Sequence, residues 1–290
     1  MSVKYVIKNV VKQLFSKRPV IIKANVIQLS PSELLKGRCA LITGGTSGIG
    51  LSIAQAMLDA GAIVCITGRS QERIDKALLA LQKATGCDED RLKGCVLNNI
   101  NVSSFNKRFE AITASLAGKK IDILVNNAGI SAGTFGTTSE NDYDSVLATN
   151  LKSAYFLSQT VAKYMKDNHI EGNILNIASS SSLRPANSPY IISKWGIRGL
   201  TLGLAKMLIP YGITVNGLAP GPTATPMLNR DENCGLENPS NPMGRLVTSR
   251  EVANMAVVLV SGISKAVVGD IIYMTGGAGT ITFDDVDCYF

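Results

Sequence analysis

Seven short apolar runs alternate with longer segments of helical periodicity, and this alternation constrains the fold more than any other feature of the chain. The strand candidates are residues 38–43, 63–67, 95–102, 121–126, 173–178, 214–218 and 270–274, with helical candidates at 49–59, 72–83, 106–117, 143–165, 190–208 and 251–261. Strands that are apolar almost throughout are buried on both faces, and intervening helices supply the crossovers that parallel strands require. The expectation is an α/β fold with one doubly wound parallel sheet, a single Rossmann-fold domain carrying helices on both faces. Ser70 reads as a helix N-cap, and Thr248-x-x-Glu251 as a capping box.

The chain has 290 residues, 46% of them apolar, enough to bury the core of one large domain. Residues 1–36 contain Lys4, Lys8, Lys12, Lys17, Arg18, Lys23 and Lys36 against Glu33 alone, so nearly all of the formal charge of +7 lies there. This divides the chain into a basic N-terminal extension, 1–36, and a domain, 37–290, that includes a Pro- and Gly-rich substrate loop at 220–247 and a short C-terminal tail. The basic balance therefore describes the extension and does not mark a nucleic-acid surface on the domain. Val3, Val6, Ile7, Val10, Val11, Leu14 and Phe15 recur at helical spacing beside lysines. Packing on protein is favoured for this stripe over peripheral membrane contact through residues 1–18. With no span-length apolar run and no secretory pattern, a cytoplasmic protein is expected. The six cysteines show no paired short spacing, and His169 is the only histidine. Neither a metal site nor a serine–histidine triad is expected.

A cofactor signal stands where the first strand meets the first helix, in Thr43-Gly44-Gly45-Thr46-Ser47-Gly48-Ile49-Gly50. Glycines allow a tight turn and a close approach of backbone amides to a pyrophosphate, which the helix N-terminus attracts. A nicotinamide dinucleotide lacking the 2′-phosphate calls for a carboxylate at the end of the second strand. Here that strand ends in Gly68-Arg69-Ser70, and Arg69 suits a 2′-phosphate instead, so NADP(H) is favoured over NAD(H).

Tyr190 and Lys194 lie four residues apart at the start of a predicted helix, which stacks them on one face. A cation beside a phenol favours its ionised form and equips it for acid–base work. With the glycine turn, the Asn126-Asn127-Ala128-Gly129 run and the Ser179–Ser182 cluster, these residues make the chain resemble the short-chain dehydrogenase/reductase family, including NADP(H)-dependent 3-oxoacyl-reductase-like members. The likeness covers roughly residues 37–277.

The resemblance implies a catalytic set of Asn150, Ser179, Tyr190 and Lys194. In it, Tyr190 is the general acid or base, Lys194 holds the nicotinamide ribose and lowers the phenol's pKa, Ser179 bonds the reacting oxygen, and Asn150 holds a water on the proton path. Ser180 competes with Ser179 for the serine position. The implied cofactor contacts are Gly44, Thr46, Ser47, Gly48, Ile49, Gly50, Arg69, Asn101, Val102, Asn127, Ala128, Gly129, Tyr190, Lys194, Pro220, Gly221, Thr223 and Thr225. Asn101 stands where many relatives carry an aspartate near the adenine.

The expected activity is interconversion of a carbonyl and an alcohol by hydride transfer, favoured in the direction of reduction. The alternatives are a cofactor-binding regulatory or scaffold protein and, less favoured, a nucleotide-sugar epimerase or dehydratase. Ser131, Phe135, Arg184, Met227 and Leu228 are candidates to line the substrate pocket for a small carbonyl or alcohol. The helices at 143–165 and 190–208 carry apolar residues on more than one side, including Phe156, Leu157, Trp195, Leu200, Leu204 and Leu208. A homo-oligomer, dimer or tetramer, is the expected assembly.

Overall fold

The computed structural model describes residues 31–228 and 235–282. The amphipathic segment of the basic extension lies outside the described residues. Seven strands form one parallel sheet in the order β3-β2-β1-β4-β5-β6-β7: β1 Cys39–Ile42, β2 Ile63–Gly68, β3 Leu92–Val96, β4 Ile123–Asn126, β5 Asn173–Ile177, β6 Thr214–Pro220 and β7 Ile271–Met274. The helices are α1 Gly48–Asp59, α2 Gln71–Thr85, α3 Phe105–Ser115, α4 Glu140–Leu147, α5 Ser153–Asp167, α6 Pro189–Leu208 and α7 Ser249–Val260.

Alternation along each strand divides the core into two layers. Ala40, Ile42, Ile123, Val125 and Leu175 join Ile53, Met57, Val252 and Val257 of α1 and α7 on one face. Cys39, Leu41, Leu124 and Ile174 join Phe109, Leu157, Val161 and Leu204 of α3, α5 and α6 on the other. Leu35 is fully buried in the first layer and its amide donates to Ala60 O at 2.8 Å.

Two elements depart from the sequence reading. The third strand runs Leu92–Val96 rather than 95–102. It is one edge of the sheet, where one side is unpaired and a residue such as Lys93 is tolerated, while a Cβ at Gly94 would overlap Ile74, so the apolar signal falls after the strand. The helix expected at 143–165 is interrupted by a π turn, Ala148–Lys152, between α4 and α5. The predicted caps are present. Ser70 Oγ accepts from Arg73 N, and Thr248 and Glu251 bond reciprocally, with Arg245 paired to Glu251 at 2.7 Å.

Candidate active site

The strand order changes direction between β1 and β4, and a cleft of about 780 Å³ opens along the C-terminal ends of the strands. A parallel sheet has its ligand crevice at such a switch point, and this volume is that of a small-molecule site. Segments following six of the strands line it.

The glycine turn forms one wall. Ser47 is the N-cap of α1, yet its side chain makes no cap bond and the first turn carries no acid. First-turn amides left uncapped in this way suit an anion. A Cβ at Gly50 would overlap Asn127 Nδ2 and the Gly44 carbonyl oxygen, so the turn can pack on the β4 loop only with glycine there. Thr43 and Asn127 hold the two segments together: Thr43 Oγ1 accepts from Asn127 N at 3.0 Å and Ala128 N at 3.1 Å, while Asn127 Nδ2 donates to Thr43 O at 2.9 Å.

Beyond β2, Arg69 and Arg73 are both exposed on the cleft, with no ion-pair partner among the described residues. Sequence reading missed Arg73, although its place four residues after Arg69, in the first turn of a capped helix, carries the signal. Asn101 and Val102 do not line the cleft. They sit at a 3₁₀ turn, where Asn101 Oδ1 accepts from Ser103 Oγ at 2.7 Å. Because β3 ends at Val96, Asn98 and Asn99 occupy that wall instead. Asn99 is 8% exposed and its Oδ1 is buried without a partner among the described residues, an arrangement that costs stability unless a donor meets it. Uncapped amides, unpaired arginines and an orphaned acceptor along one wall, with no carboxylate among the described lining residues, fit a phosphorylated dinucleotide.

The other end of the cleft is built on α6. Ser188 caps this helix by accepting from Ile191 N, and Pro189 fixes its first turn, which places Tyr190 and Lys194 one turn apart beside the end of β5. Lys194 is 5% exposed, and its Nζ donates to Ile177 O at 2.7 Å. Burial pulls its ammonium down to about 8. The Lys194 Nζ lies 5.7 Å from the Tyr190 ring centre. Burial raises the Tyr190 phenol above its ordinary value, and a hydrogen bond with Ser179 pulls it partly back. The dominant influence on the phenol is thus desolvation, where the sequence reading assigned it to the lysine. Ser179 holds this bond, and Ser180 lies beside it in the lining.

Asn150 stands behind the wall, 3% exposed, within the π turn. Its Oδ1 accepts from Ile130 N at 2.8 Å, and its Nδ2 donates to Ile130 O at 2.9 Å and Ser193 Oγ at 3.0 Å. Ser193 Oγ donates in turn to Tyr190 O at 2.6 Å. Both side-chain donors are therefore committed to protein, and the residue ties the β4 loop to the first turn of α6. A second buried network escaped the sequence reading: Asn126 Nδ2 donates to Ser158 Oγ and Asn176 Oδ1, and Asn176 Nδ2 donates to Thr201 Oγ1.

The remaining predicted residues, Gly44, Thr46, Gly48, Ile49, Gly129, Pro220, Gly221, Thr223 and Thr225, line the cleft, as do Ser131, Arg184, Met227 and Leu228. Phe135 is 89% exposed and outside the lining. The irregular segment after β6 is pinned by a bridge between Thr223 and Val247; residues 229–234 lie outside the described residues.

The chain is similar to known proteins over most of its length. The family profile for short chain dehydrogenases matches residues 38–234. The chain is 35% identical to the 3-oxoacyl-(acyl-carrier-protein) reductase of Aquifex aeolicus, over 84% of this chain and 98% of that protein. It is 33% identical to the gluconate 5-dehydrogenase of Gluconobacter oxydans, over 84% and 95%. Among solved structures, a short chain dehydrogenase from Bacillus anthracis superimposes with a TM-score of 0.74 at 30% identity, over 86% of this chain and 99% of that one.

Proposed function

The chain belongs to the short chain dehydrogenase family, and from that premise we propose that it is an NADP(H)-dependent carbonyl reductase with Tyr190 as its proton donor. The observation that carries the reading is the meeting of Ser179, Tyr190 and Lys194 at one end of a cleft whose other end presents Arg69 and Arg73. When bound, the nicotinamide supplies or accepts hydride at the substrate carbon. Tyr190 gives its proton to the carbonyl oxygen during reduction, and a phenol raised by burial is in the protonated form this direction needs. Ser179 bonds the same oxygen and orients the phenol. Lys194 reaches the ribose from its position on Ile177 O. Asn150 positions Tyr190 through Ser193. A π turn shifts the backbone hydrogen-bond register, so a water on the proton path would rest on the Asn150 carbonyl rather than on its committed amide.

Arg69, with Arg73 one turn on, receives the 2′-phosphate, while α1 amides and the glycine turn take the pyrophosphate. Asn98 and Asn99 take the adenine end in place of Asn101 and Val102. The outward stripes of α5 and α6, which expose Tyr155, Phe156, Ile192, Trp195 and Leu202, join copies of the chain, while Leu157 and Leu204 face the core. Light scattering that finds only monomer would remove that assembly. No helix among the described residues is long and apolar enough to cross a membrane.

The deciding experiment measures NADPH and NADH dissociation constants and carbonyl-dependent NADPH oxidation over a substrate panel. Tighter NADH binding refutes the cofactor assignment. Tight NADPH binding without oxidation by any carbonyl refutes the reductase in favour of a cofactor-binding scaffold.

A further inference from the structure

Resting on the carbonyl-reductase reading, we propose that the substrate carries an anionic group, a carboxylate or a phosphate monoester, and that Arg184 receives it. The charge of the cleft points this way. Among the described residues, its lining holds Arg69, Arg73, Arg184 and Lys194 and no aspartate or glutamate. Arg69 and Arg73 belong to the end after β2, and Lys194 is buried on Ile177 O, so among the described residues Arg184 is the one uncommitted cation at the reacting end.

Arg184 follows the 3₁₀ turn Ser180–Leu183, directly after the serine that bonds Tyr190. Its backbone is fixed on both sides: its amide donates to Ser181 O at 3.1 Å, and its carbonyl accepts from Trp195 Nε1 at 2.9 Å. The guanidinium has no hydrogen-bond or ion-pair partner among the described residues, and the segment after β7 packs against it. A Cβ at Gly279 (φ +76°) would stand 3.7 Å from Arg184 Nε and 3.9 Å from a terminal nitrogen. An exposed arginine with a free side chain is ordinarily a solvated charge. Here the backbone is fixed, the residue lines a cleft with no carboxylate among its described residues, and its fork of donors matches a carboxylate or phosphate. The nearby Arg198 is already engaged: it donates to Ser182 O at 3.3 Å and lies 5.4 Å from the Trp195 ring centre. Met227 and Leu228, both exposed, add an apolar surface to the same cleft, so the ligand is an anion with a carbon body rather than a polyol alone.

The test uses the full chain with NADPH and matched pairs: 4-oxopentanoate with its methyl ester, and dihydroxyacetone phosphate with dihydroxyacetone. The carboxylate and phosphate arms distinguish the two forms of anion. The expected result is a higher kcat/KM for at least one charged partner, which Arg184→Met lowers roughly 10- to 100-fold through KM while moving its neutral partner by less than about twofold. Arg184→Lys should retain part of the preference. A second readout needs no turnover. Trp195, the only tryptophan of the chain, bonds the Arg184 carbonyl, so its fluorescence should respond to glutarate or inorganic phosphate, and not to dimethyl glutarate, in NADP⁺-loaded protein. Arg184→Met should abolish that response. Turnover of charged and neutral partners alike overturns the anion site and leaves the reductase standing. Absence of all turnover, with an Arg184-dependent fluorescence response, sinks the reductase and keeps the anion site. Absence of both overturns both.

Discussion

The two ends of the cleft are built by opposite means. At the glycine turn the protein contributes mostly backbone: uncapped amides of α1, a Cβ-free approach at Gly50, and the exposed Arg69 and Arg73 at the rim. At the Tyr190 end it contributes side chains whose properties come from burial: an ammonium pulled down to about 8, a phenol raised, and an asparagine with both donors committed. Shape is fixed cheaply by omitting side chains, whereas chemistry requires desolvated groups held by a network. The first end should therefore fail through lost packing and affinity, and the second through lost turnover in a protein that still folds and binds.

The largest contrast is expected from Tyr190→Phe, which should lower kcat about 10²- to 10⁴-fold with NADPH affinity held within about twofold. Steady-state kinetics paired with calorimetry would check it, and a parallel loss of cofactor binding would erase the distinction between the ends. Next is the pH dependence of stability set by Lys194. Its folded pKa of about 8 lies below the unfolded 10.5, so between these values the unfolded chain holds the proton that the folded protein has released. Stability should rise with pH across that window relative to Lys194→Met, by at most about 3 kcal/mol. Urea titrations of both proteins from pH 7.5 upward would measure it, and parallel curves would show that burial does not shift this lysine.

The glycine end gives smaller effects. Gly50→Ala forces Asn127 and the Gly44 peptide apart, so a destabilisation of about 1–3 kcal/mol and weaker binding of both nicotinamide dinucleotides are expected by thermal melts with and without ligand. Arg69→Ala should cost roughly tenfold in NADPH affinity and leave NADH affinity nearly unchanged, because an exposed forked contact is partly screened. Equal losses for both dinucleotides would move the 2′-phosphate to Arg73.

These regions also differ in how far they are legible in the chain. Glycine turns and capped helix starts are local, so Gly44–Gly50, Ser70, Ser188 and Thr248 carry their own signals, and the buried strands announce themselves by apolar runs. Edge strand β3 does not, since Lys93 suits a half-paired position, and because the strand ends at Val96 it is Asn98 and Asn99, not Asn101 and Val102, that line the cleft. The π turn at Asn150 was hidden because side-chain periodicity does not report which carbonyl an amide chooses. The Asn126–Asn176 contact spans 50 residues, and nothing local in either asparagine names the other.

By itself the sequence determined the strand–helix alternation, the glycine turn and the four-residue spacing of Tyr190 and Lys194, because each depends on neighbours along the chain. Only the tertiary structure decided that Ser179 and Ser180 both come to the cleft beside Tyr190, that Asn150 commits its amide to Ile130 and Ser193, and that burial governs the acidity of both Tyr190 and Lys194. The physical reason is that desolvation and hydrogen-bond commitment belong to the packed surroundings of a group. Those surroundings exist only once segments distant in the chain have closed around it.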